Sequence, residues 1–527
     1  MAAEAPPSAA SPTEAPASAA PPTDPRWQRL AWFVAAALLA LWGLWQARDF
    51  FHDDAFITLR YVARWLAGRG PTWNDGEHVE GYSHPLWLLQ LTALGLAGAS
   101  LVDAARALGV VYLVALFALW WRSRAWPVPL LLAATTPGLL VWTRGGLEGV
   151  SFTFWLCLGA WLVTRALAAP GHDARRAGAL AGAALAAAAL TRPEGALLGP
   201  LALLWLVLLG APRRTWLALL VTFALPLLTW QAVRLGYYGD WLPNAARVKL
   251  GAPLAVQLGA ALRYLRFNLR AWLPALAAAA ALLALARRPR ALWPALLALP
   301  MLLTTLSGGG DHMPGVRLVM PALVLLAFCA GLAGPPRQRW ARLAASALVA
   351  GAGLLQVAPL LGRRVPPDAA AAVGSQVGRY LDAHLPPGAL VVTATAGSTP
   401  YHAPHLAFID SLGLNDRHIA RRAVPHRLTL LQVLPGHRKG DGAYVLSREP
   451  DVVIIGPAEG DLGRDPRGWF LGDLELLTAP AFQARYRPHA FMVRRGLTLI
   501  AYLRDDSLAA QQLGDAGAAM LAPWDSW

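Results

Sequence analysis

The amino-acid sequence predicts a polytopic α-helical membrane protein that ends in a smaller soluble α/β domain. Hydrophobic residues make up 56% of the 527 residues and charged residues only 15%, against about 25% charged in an ordinary globular chain. The mean hydropathy is +0.41, and the apolar residues collect in long runs. A soluble core of this size cannot bury so much apolar surface, so lipid is the expected environment for most of the chain.

The formal net charge of +15 does not indicate a nucleic-acid-binding protein. The chain has only two lysines, Lys249 and Lys439, and its many arginines fall in pairs between apolar segments. Such pairs mark the cytoplasmic loops of membrane proteins. The cysteines, Cys157 and Cys329, lie far apart inside apolar stretches and form no metal-binding motif.

The chain divides into three parts by composition. Residues 1–25 are rich in Ala, Pro, Ser and Thr, which predicts a disordered cytoplasmic tail. Residues 26–363 carry the apolar segments and form the predicted transmembrane domain, with a first extracytoplasmic loop at 48–83. Residues 364–527 are richer in charge. Short β-like runs alternate there with helical stretches, which predicts an α/β domain; the runs are 389–395, 406–410, 451–456 and 497–503, and one helical stretch is 368–384.

The basic pairs predict about eleven membrane spans. From Arg124 onward every second loop carries such a pair, which gives a consistent orientation with a cytoplasmic N-terminus and an extracytoplasmic C-terminal domain. Two full crossings between residues 84 and 121 would place Arg122 outside. We therefore expect one short segment within 84–142 to be re-entrant or half-crossing.

Acidic residues in the apolar part lie almost entirely at the predicted outer ends of the spans. Asp53 and Asp54 follow the first span directly, beside His52. One capping aspartate would satisfy a helix N-terminus, whereas two adjacent acids at the membrane surface indicate a functional site. The amphipathic stretch 56–66 that follows is predicted to lie in the membrane interface.

Two stretches of this loop resemble a known family. They are Asp53-Asp54-Ala55-Phe56-Ile57-Thr58-Leu59-Arg60-Tyr61 and residues 70–87, which include Trp73, Asn74, Glu80, Gly81, Tyr82, His84, Pro85 and Trp87. They closely resemble the first outer loop of GT-C glycosyltransferases, above all the terminal arabinofuranosyltransferases of mycobacterial cell-wall assembly and their pilin-modifying relatives. Weaker matches include Gly146-Leu147-Glu148, Thr191-Arg192-Pro193-Glu194, Gly310-Asp311-His312 and residues 410–416.

The resemblance implies transfer of a sugar from a polyprenyl phosphate at the outer face of the bacterial cytoplasmic membrane. The implied donor is decaprenyl- or undecaprenyl-phosphoryl-D-arabinofuranose, and the acceptor is a glycan or a protein. Asp53 or Asp54 would be the general base, or one of them a nucleophile if the product retains configuration. The basic groups set at outer ends are candidates for the donor phosphate, with neighbouring residues around the sugar: His52, Arg144, Glu148, Arg192, Glu194, Lys249, Asp311, His312 and Arg317.

Several alternatives stay open at this stage. The donor could carry a hexose or aminoarabinose, and the chain could be a lipid or glycan transporter, although it lacks the internal repeats of many transporters. Arg144 could simply pair with Glu148, and Arg192 with Glu194. No cofactor is predicted; a divalent cation would require His52, His84 or His312 to meet an aspartate, and no spacing dictates this.

Two further pairs of residues have competing interpretations. Trp73 and Trp87 could stack on a sugar or anchor the loop at the membrane interface. Asp410 and Asp416 follow a predicted strand and could bind an acceptor, and a capped turn explains them more simply.

Overall fold

The chain forms a helical region followed by an α/β domain. The computed structural model describes residues 25–249, 252–285, 292–423, 436–463, 469–515, 517 and 519–520. The predicted tail 1–25 lies outside these residues except for Pro25. Sixteen helices precede the α/β domain in the described part: α1 Arg26–Gln46, α2 Asp53–Leu66, α3 Pro85–Leu96, α4 Leu101–Arg122, α5 Leu130–Thr135, α6 Pro137–Trp142, α7 Gly149–Ala168, α8 Gly171–Thr191, α9 Leu198–Leu208, α10 Arg213–Val233, α11 Asn244–Lys249, α12 Leu254–Phe267, α13 Leu269–Ala284, α14 Leu299–Gly308, α15 Met320–Ala333 and α16 Arg339–Val357.

The protein is a multi-pass membrane protein. Five described helices are long and apolar enough to cross a bilayer, namely α1, α4, α7, α10 and α16, and α12 with α13 make a sixth if the pair, bent by 83°, is one span. Large apolar side chains on these helices point outward, such as Leu41, Val111 and Leu225, each about 60% exposed, as lipid-facing residues do. Other apolar helices are shorter than a straight span needs.

Helices α1 and α4 run antiparallel. At one end the Arg29 side chain donates a hydrogen bond to the carbonyl of Trp121, in the last turn of α4. At the other end Arg106, in the second turn of α4, lies within electrostatic reach of Asp49 and Arg144. Helix α3 therefore begins and ends at the same end of the helical region. Within 84–142, this arrangement favours the predicted segment 84–99, twelve residues of which form α3, as the short segment.

The α/β domain contains one mixed six-stranded sheet of order β2-β1-β3-β5-β4-β6. The first three strands are parallel and the others antiparallel. Four strands fall on the predicted runs, and β4 and β6 were not predicted. The elements are α17 Ala369–His384, β1 Leu390–Thr393, α18 Ser398–Tyr401, β2 Ala407–Asp410, α19 Arg417–Arg421, α20 Gly442–Ser447, β3 Val452–Val453, α21 Leu471–Thr478, α22 Pro480–Arg485, β4 Tyr486–Arg494, β5 Leu497–Arg504, α23 Leu508–Asp515 and β6 Ala519–Met520.

Helix α2 lies between the helical region and the α/β domain, not in the membrane interface. Ile57, Leu59 and Tyr61 are at most 5% exposed, whereas Trp65 is 36% exposed. The amphipathic pattern predicted an interfacial helix because its apolar face was assigned to lipid. That interpretation is wrong: the α/β domain covers α2, and helix α18 packs against it.

Candidate active site

Asp53 and Asp54 point in different directions from the N-terminus of α2. The Asp53 carboxylate is buried and accepts hydrogen bonds from the backbone N–H groups of Gly397 at 3.1 Å and Ser398 at 2.7 Å. These groups form the N-terminus of α18, which favours a carboxylate. Burial raises the pKa of Asp53 to about 6, against the opposing hydrogen bonds from Ser398. Asp53 thus links two domains.

Protein surrounds Asp54, and its side chain is nevertheless 39% exposed. We call the solvent-accessible space in front of this carboxylate the active cavity. Burial, the largest influence, acts to raise the pKa of Asp54, but electrostatic interactions with His52, Arg317, His312 and Lys249 together outweigh burial and lower the pKa. The carboxylate is therefore ionised at neutral pH. An ionised, solvent-accessible carboxylate can accept a proton from a bound hydroxyl group.

His52 orients the turn that carries Asp54. Its Nδ1 accepts a hydrogen bond from the Asp54 N–H at 3.1 Å, so the ring proton of neutral His52 is on Nε2. This nitrogen lies 3.6 Å from Oδ2 of Asp368, the N-cap of α17. Burial lowers the pKa of His52, which favours the neutral ring. The α/β domain therefore supports Asp54 through two contacts, one on each side.

Two cations lie beside Asp54. Arg317 donates from Nε to Oδ2 of Asp311 at 2.7 Å, and its guanidinium lies 5.2 Å from the ring centre of Trp142. Lys249, at the C-terminal end of α11, has an exposed side chain. Both charges lie within electrostatic reach of Asp54, and Asp311 balances part of them. A site in which a carboxylate lies beside two cations can hold an anionic leaving group next to a base.

A buried ion network borders this cavity. Arg192 donates to Oε1 of Glu194 at 2.5 Å and to Oε1 of Glu148 at 3.1 Å. His84 Nδ1 lies 3.5 Å from Glu148 Oε2, and its Nε2 bonds Thr58 at 2.6 Å. Arg192 thus pairs with two carboxylates, Glu194 and Glu148. The pairing of Arg192 with Glu194, which the sequence left open, is present.

Arg144 takes no part in this network among the contacts of the described residues. Glu148 pairs with Arg192 and His84, while Arg144 lies near Arg106 of α4. The alternative pairing of Arg144 with Glu148 is therefore wrong. The donor-phosphate role of Arg144 stays a prediction.

Arg60 of the first-loop motif binds the α/β domain. Its Nε donates to the carbonyl of Trp73 at 2.8 Å. Its terminal nitrogens donate to the carbonyls of Pro400, of Ala403 at 3.4 Å and of Leu406 at 3.2 Å. These three carbonyls lie at and beyond the C-terminal end of the short helix α18. The buried guanidinium therefore satisfies backbone acceptors of another domain.

Trp73 and Asn74 complete the contact with the edge of the sheet. The Asn74 amide donates to the carbonyl of Phe408 at 2.7 Å and accepts from its N–H at 3.1 Å, as a neighbouring strand would. The Trp73 indole donates to the carbonyl of Ala396 at 3.3 Å. Trp73 and Trp87 are each 1% exposed. Both interpretations from the sequence, sugar stacking and membrane anchoring, are wrong because the two rings are enclosed by protein.

Tyr61 and Gly81 contact the α/β domain at Asn415, which follows β2. The Tyr61 hydroxyl donates to the carbonyl of Val79 at 2.8 Å, lies 3.1 Å from Oδ1 of Asn415 and accepts from the Gly81 N–H at 3.0 Å. A Cβ atom at position 81 would lie 1.9 Å from Asn415 Oδ1. Only glycine permits this approach of the loop to the α/β domain.

The remaining motif residues fix the loop to the helical region. Glu80 pairs with Arg234 at 2.5 Å, and the hydroxyls of Tyr82 and Tyr238 are 2.8 Å apart. Pro85 occupies the first position of α3, where its fixed φ and missing N–H suit a helix start. The first-loop motif is thus mainly a clamp between domains, whereas Asp54 faces the cavity and His84 belongs to the ion network beside it.

No group of three or more His, Cys, Asp or Glu side chains within the described ranges could hold a metal ion. His52 and His312 have ring centres 6.4 Å apart, but both nitrogens of His52 are already oriented by Asp54 and Asp368. His84 bonds Thr58 and Glu148 instead of joining them.

Sequence reasoning missed the contribution of the α/β domain. Asp368 and Ser398 lie more than 300 residues from Asp53 in the chain, and Asp368 has only the pattern of a helix N-cap. The capped-turn interpretation of Asp410 is confirmed: its carboxylate accepts from the N–H groups of Leu412 and Asn415. Asp416 caps α19.

The chain is similar to curated proteins over part of its length. The terminal β-(1→2)-arabinofuranosyltransferase of Mycobacterium tuberculosis is 33% identical over 236 residues, covering 41% of this chain and 37% of that protein. Its counterpart in Corynebacterium glutamicum is 34% identical over 257 residues, covering 43% and 37%. The chain resembles the terminal arabinofuranosyltransferases. It spans little more than a third of the length of these relatives.

Other comparisons concern the α/β domain and the fold. A model of a domain of unknown function (DUF8728) matches residues 356–508. ArnT from Cupriavidus metallidurans, solved bound to undecaprenyl phosphate, is 15% identical with a TM-score of 0.50, covering 73% of this chain and 86% of that one. The Archaeoglobus fulgidus oligosaccharyltransferase is 13% identical with a TM-score of 0.52, covering 88% and 73%. The fold is therefore of the GT-C type, as the first loop indicated.

Proposed function

We propose that the protein transfers a D-arabinofuranosyl group from a polyprenyl phosphate to a hydroxyl group of a cell-envelope acceptor. The observation that carries this proposal is the position of the ionised Asp54 carboxylate in an open cavity beside Arg317 and Lys249. A base next to two cations matches a reaction that removes a proton from one partner and releases a phosphate from the other. Similarity to arabinofuranosyltransferases favours a pentofuranose as the sugar.

Asp54 is the general base in this proposal. It takes the proton of the acceptor hydroxyl while that oxygen forms a bond to the anomeric carbon of the donor. The bond from this carbon to the phosphate oxygen breaks, and its electron pair leaves with the polyprenyl phosphate. Arg317 and Lys249 stabilise the negative charge on that phosphate. Asp53 holds α18 and does not reach the substrates.

Binding of the donor also makes Asp54 a better base. In the free site the surrounding positive charges keep the pKa of Asp54 low. A bound phosphate compensates part of that positive charge, so the positive charge lowers the pKa of Asp54 less. Burial, which raises this pKa, then has the larger effect. The base therefore gains proton affinity when the donor is in place.

The proposal includes the lipid carrier of the donor and the orientation of the chain in the membrane. ArnT was solved with undecaprenyl phosphate, which supports a decaprenyl or undecaprenyl carrier here, and the acceptor is a glycan or a protein. In this proposal α3 does not cross the membrane, and α1 and α4 cross it in opposite directions. Eleven membrane spans then place the basic loops on the cytoplasmic side. The N-terminus then faces the bacterial cytoplasm, and Asp54 and the α/β domain lie outside the cytoplasmic membrane.

Release of polyprenyl phosphate from synthetic donors by the purified full chain tests the proposal. The panel contains polyprenylphosphoryl derivatives of arabinofuranose, a hexose and aminoarabinose in one detergent. We expect release from the arabinofuranosyl donor. Preference for another sugar would change the proposed donor but not the glycosyltransferase class. If the folded protein released polyprenyl phosphate from no donor, the enzymatic function would be excluded and a transporter favoured.

A further inference from the structure

An apolar groove lies on the surface of the helical region, near the end opposite Asp54. We define the α1–α4–α7 groove as the space between Leu30 and Phe33 of α1, residues 114–122 of α4 and residues 154–161 of α7. Its volume is about 900 Å³, in the range of sites for small ligands. Asp54 follows the other end of α1, which has 21 residues and is about 30 Å long. The groove is therefore separate from the active cavity.

The walls of the groove are apolar and open toward the surrounding lipid. Val114 and Leu30 are 62% and 54% exposed, and Trp121 at the rim is 45% exposed. None of residues 26–35 is buried, so this half of α1 packs only loosely against protein. A hydrocarbon chain fits such walls by van der Waals packing. Any bilayer lipid offers such a chain, so the walls alone do not select one lipid.

Three arginines lie at one end of the groove. Arg122 belongs to its lining, and Arg29 precedes Leu30 in α1. Arg124 follows Arg122 by two residues and lies within electrostatic reach of Arg29. Within the described part of the chain, none of the three forms an ion pair with a carboxylate, and the groove lining contains no acidic residue. The protein thus leaves a local excess of positive charge beside an apolar groove.

Aromatic rings hold the Arg29 guanidinium at this end of the groove. Its central carbon Cζ lies 4.5 Å from the ring centre of Trp121 and 5.9 Å from that of Phe33, and the two rings meet edge to face at 5.0 Å. Its one hydrogen bond among the described residues runs from Nη2 to the carbonyl of Trp121. A guanidinium has five N–H donors, so these residues leave most of them for a ligand. A guanidinium fixed in this way is suited to phosphate oxygens, which it can bind in pairs.

The chemistry of the ligand follows from these two parts of the site. A single molecule that fills the groove and compensates the arginines has a hydrocarbon chain and an anionic head. Phospholipids with a net negative headgroup have both, whereas a zwitterionic headgroup brings its own positive charge close to three arginines. Clusters of basic residues at the ends of membrane helices are typical sites for anionic lipids.

We propose that the α1–α4–α7 groove binds one anionic phospholipid. Its acyl chain lies along α4, and its phosphate accepts hydrogen bonds from Arg29 and Arg122, with the charge of Arg124 nearby. The bound lipid joins the N-terminal half of α1 to α4 and α7. This site goes beyond the proposed sugar transfer and takes no part in it.

Native mass spectrometry of the purified full chain tests the site. Phosphatidylglycerol is compared with phosphatidylcholine of the same acyl chains, and we expect phosphatidylglycerol to bind more tightly and to raise the melting temperature more. Arg29→Gln and Arg122→Gln should each weaken its binding about fivefold, the equivalent of about 1 kcal/mol. Glutamine keeps an amide donor for the Trp121 carbonyl. Ala118→Trp keeps every charge but fills the groove at an exposed position, and it should also weaken binding.

The matched control is Arg214→Gln, which removes an exposed arginine at the start of α10, outside the groove. Its affinity for phosphatidylglycerol should equal that of the wild type. Equal affinities of the wild type for the two phospholipids would overturn the proposal, as would an unchanged affinity in Arg122→Gln or in Ala118→Trp.

Two competitors distinguish the phospholipid from other anions. Tighter binding of undecaprenyl phosphate than of phosphatidylglycerol would contradict the proposal and assign the groove to a carrier lipid. Displacement of phosphatidylglycerol by equimolar inorganic phosphate would also contradict it, because the arginines would then bind a free anion without the acyl chain. None of these measurements requires cleavage of a sugar donor, so the site can fail or hold independently of the transfer reaction.

Discussion

Asp53 and Arg60 lie two turns apart on α2 and bind opposite ends of the single-turn helix α18. Asp53 accepts from the N–H groups at its start, and Arg60 donates to the carbonyls at and beyond its end. Residues seven positions apart share one face of a helix. Asp54 projects from another face of the same turn, so the contact between the domains also sets the position of the proposed base.

The two adjacent aspartates should respond differently to the same substitution. Asp54→Asn removes the proton acceptor but keeps the shape, and we expect kcat to fall at least about 10²-fold with donor binding retained. Asp53→Asn keeps one oxygen for the N-terminus of α18 and should lower the melting temperature more than kcat. Turnover and thermal unfolding of both variants check this. Near-wild-type turnover in Asp54→Asn would contradict the assignment.

Arg60 should matter for the association of the domains and not for the chemistry. In Arg60→Lys the side chain keeps its charge but loses the planar set of donors that several carbonyls need. The lost buried hydrogen bonds weaken the contact between the domains, so we expect faster proteolytic release of the α/β domain. Arg69→Lys, an exposed arginine near the end of α2, is the matched control, and equal cleavage rates in both variants would refute the clamp.

Lys249 should contribute to donor binding. Lys249→Ala removes one of the two cations proposed for the phosphate, and we expect the donor KM to rise about tenfold. Inorganic phosphate should also inhibit this variant less than the wild type. Arg485→Ala, at the exposed far side of the α/β domain, provides the control. A change in kcat without a change in donor KM would assign Lys249 to another step.

The pH dependence should report the change in Asp54 on donor binding. Activity requires the ionised carboxylate, so it falls as pH decreases through the pKa of Asp54. In the free enzyme that pKa lies below its ordinary value, whereas bound phosphate raises it. The acid limb of kcat should therefore lie at higher pH than that of kcat/KM. Coincident limbs would show that the donor does not alter the charge around Asp54.

Asp473 should make the stability of the α/β domain depend on pH. Burial raises the pKa of Asp473 to about 7, above its value in the unfolded chain. The protonated form therefore stabilises the fold at low pH. As the pH rises from about 4 to 7, the free energy of unfolding decreases by a few kcal/mol. Asp473→Asn should flatten this slope in thermal unfolding, whereas Asp515→Asn, at an exposed position, should not. An unchanged slope in Asp473→Asn would contradict this origin.

Much of the fold was predictable from the sequence because lipid imposes strong patterns. Long apolar runs, arginine pairs and β-like runs predicted the helical region and four of the six strands. The runs did not reveal which face of α2 meets protein, since a helix covered by another domain has the same pattern as one that lies on lipid. Only contacts across more than 300 residues distinguish the two cases.

The candidate site, like the fold, was only partly predictable from the sequence. Asp54 was selected as one of two adjacent acids at the membrane surface, and His312, Arg317 and Lys249 as basic groups at outer ends, where they are disfavoured. In the structure all three basic residues lie within electrostatic reach of Asp54. The separate orientations of Asp53 and Asp54 could not be predicted, since neighbours on a helix differ in direction only relative to partners that the local sequence does not name. The role of Arg60 depends in the same way on backbone carbonyls, which leave no trace in side-chain patterns.

The long separation between Asp53 and Ser398 has a consequence for biosynthesis. The two residues are 345 positions apart, so α2 emerges from the ribosome well before its partner helix α18 exists. At about 5–20 residues per second this interval lasts tens of seconds. During that time the turn that carries Asp54 lacks the support of Ser398 and Asp368. The newly made chain therefore completes its proposed catalytic centre only after its C-terminal domain has been synthesised and folded.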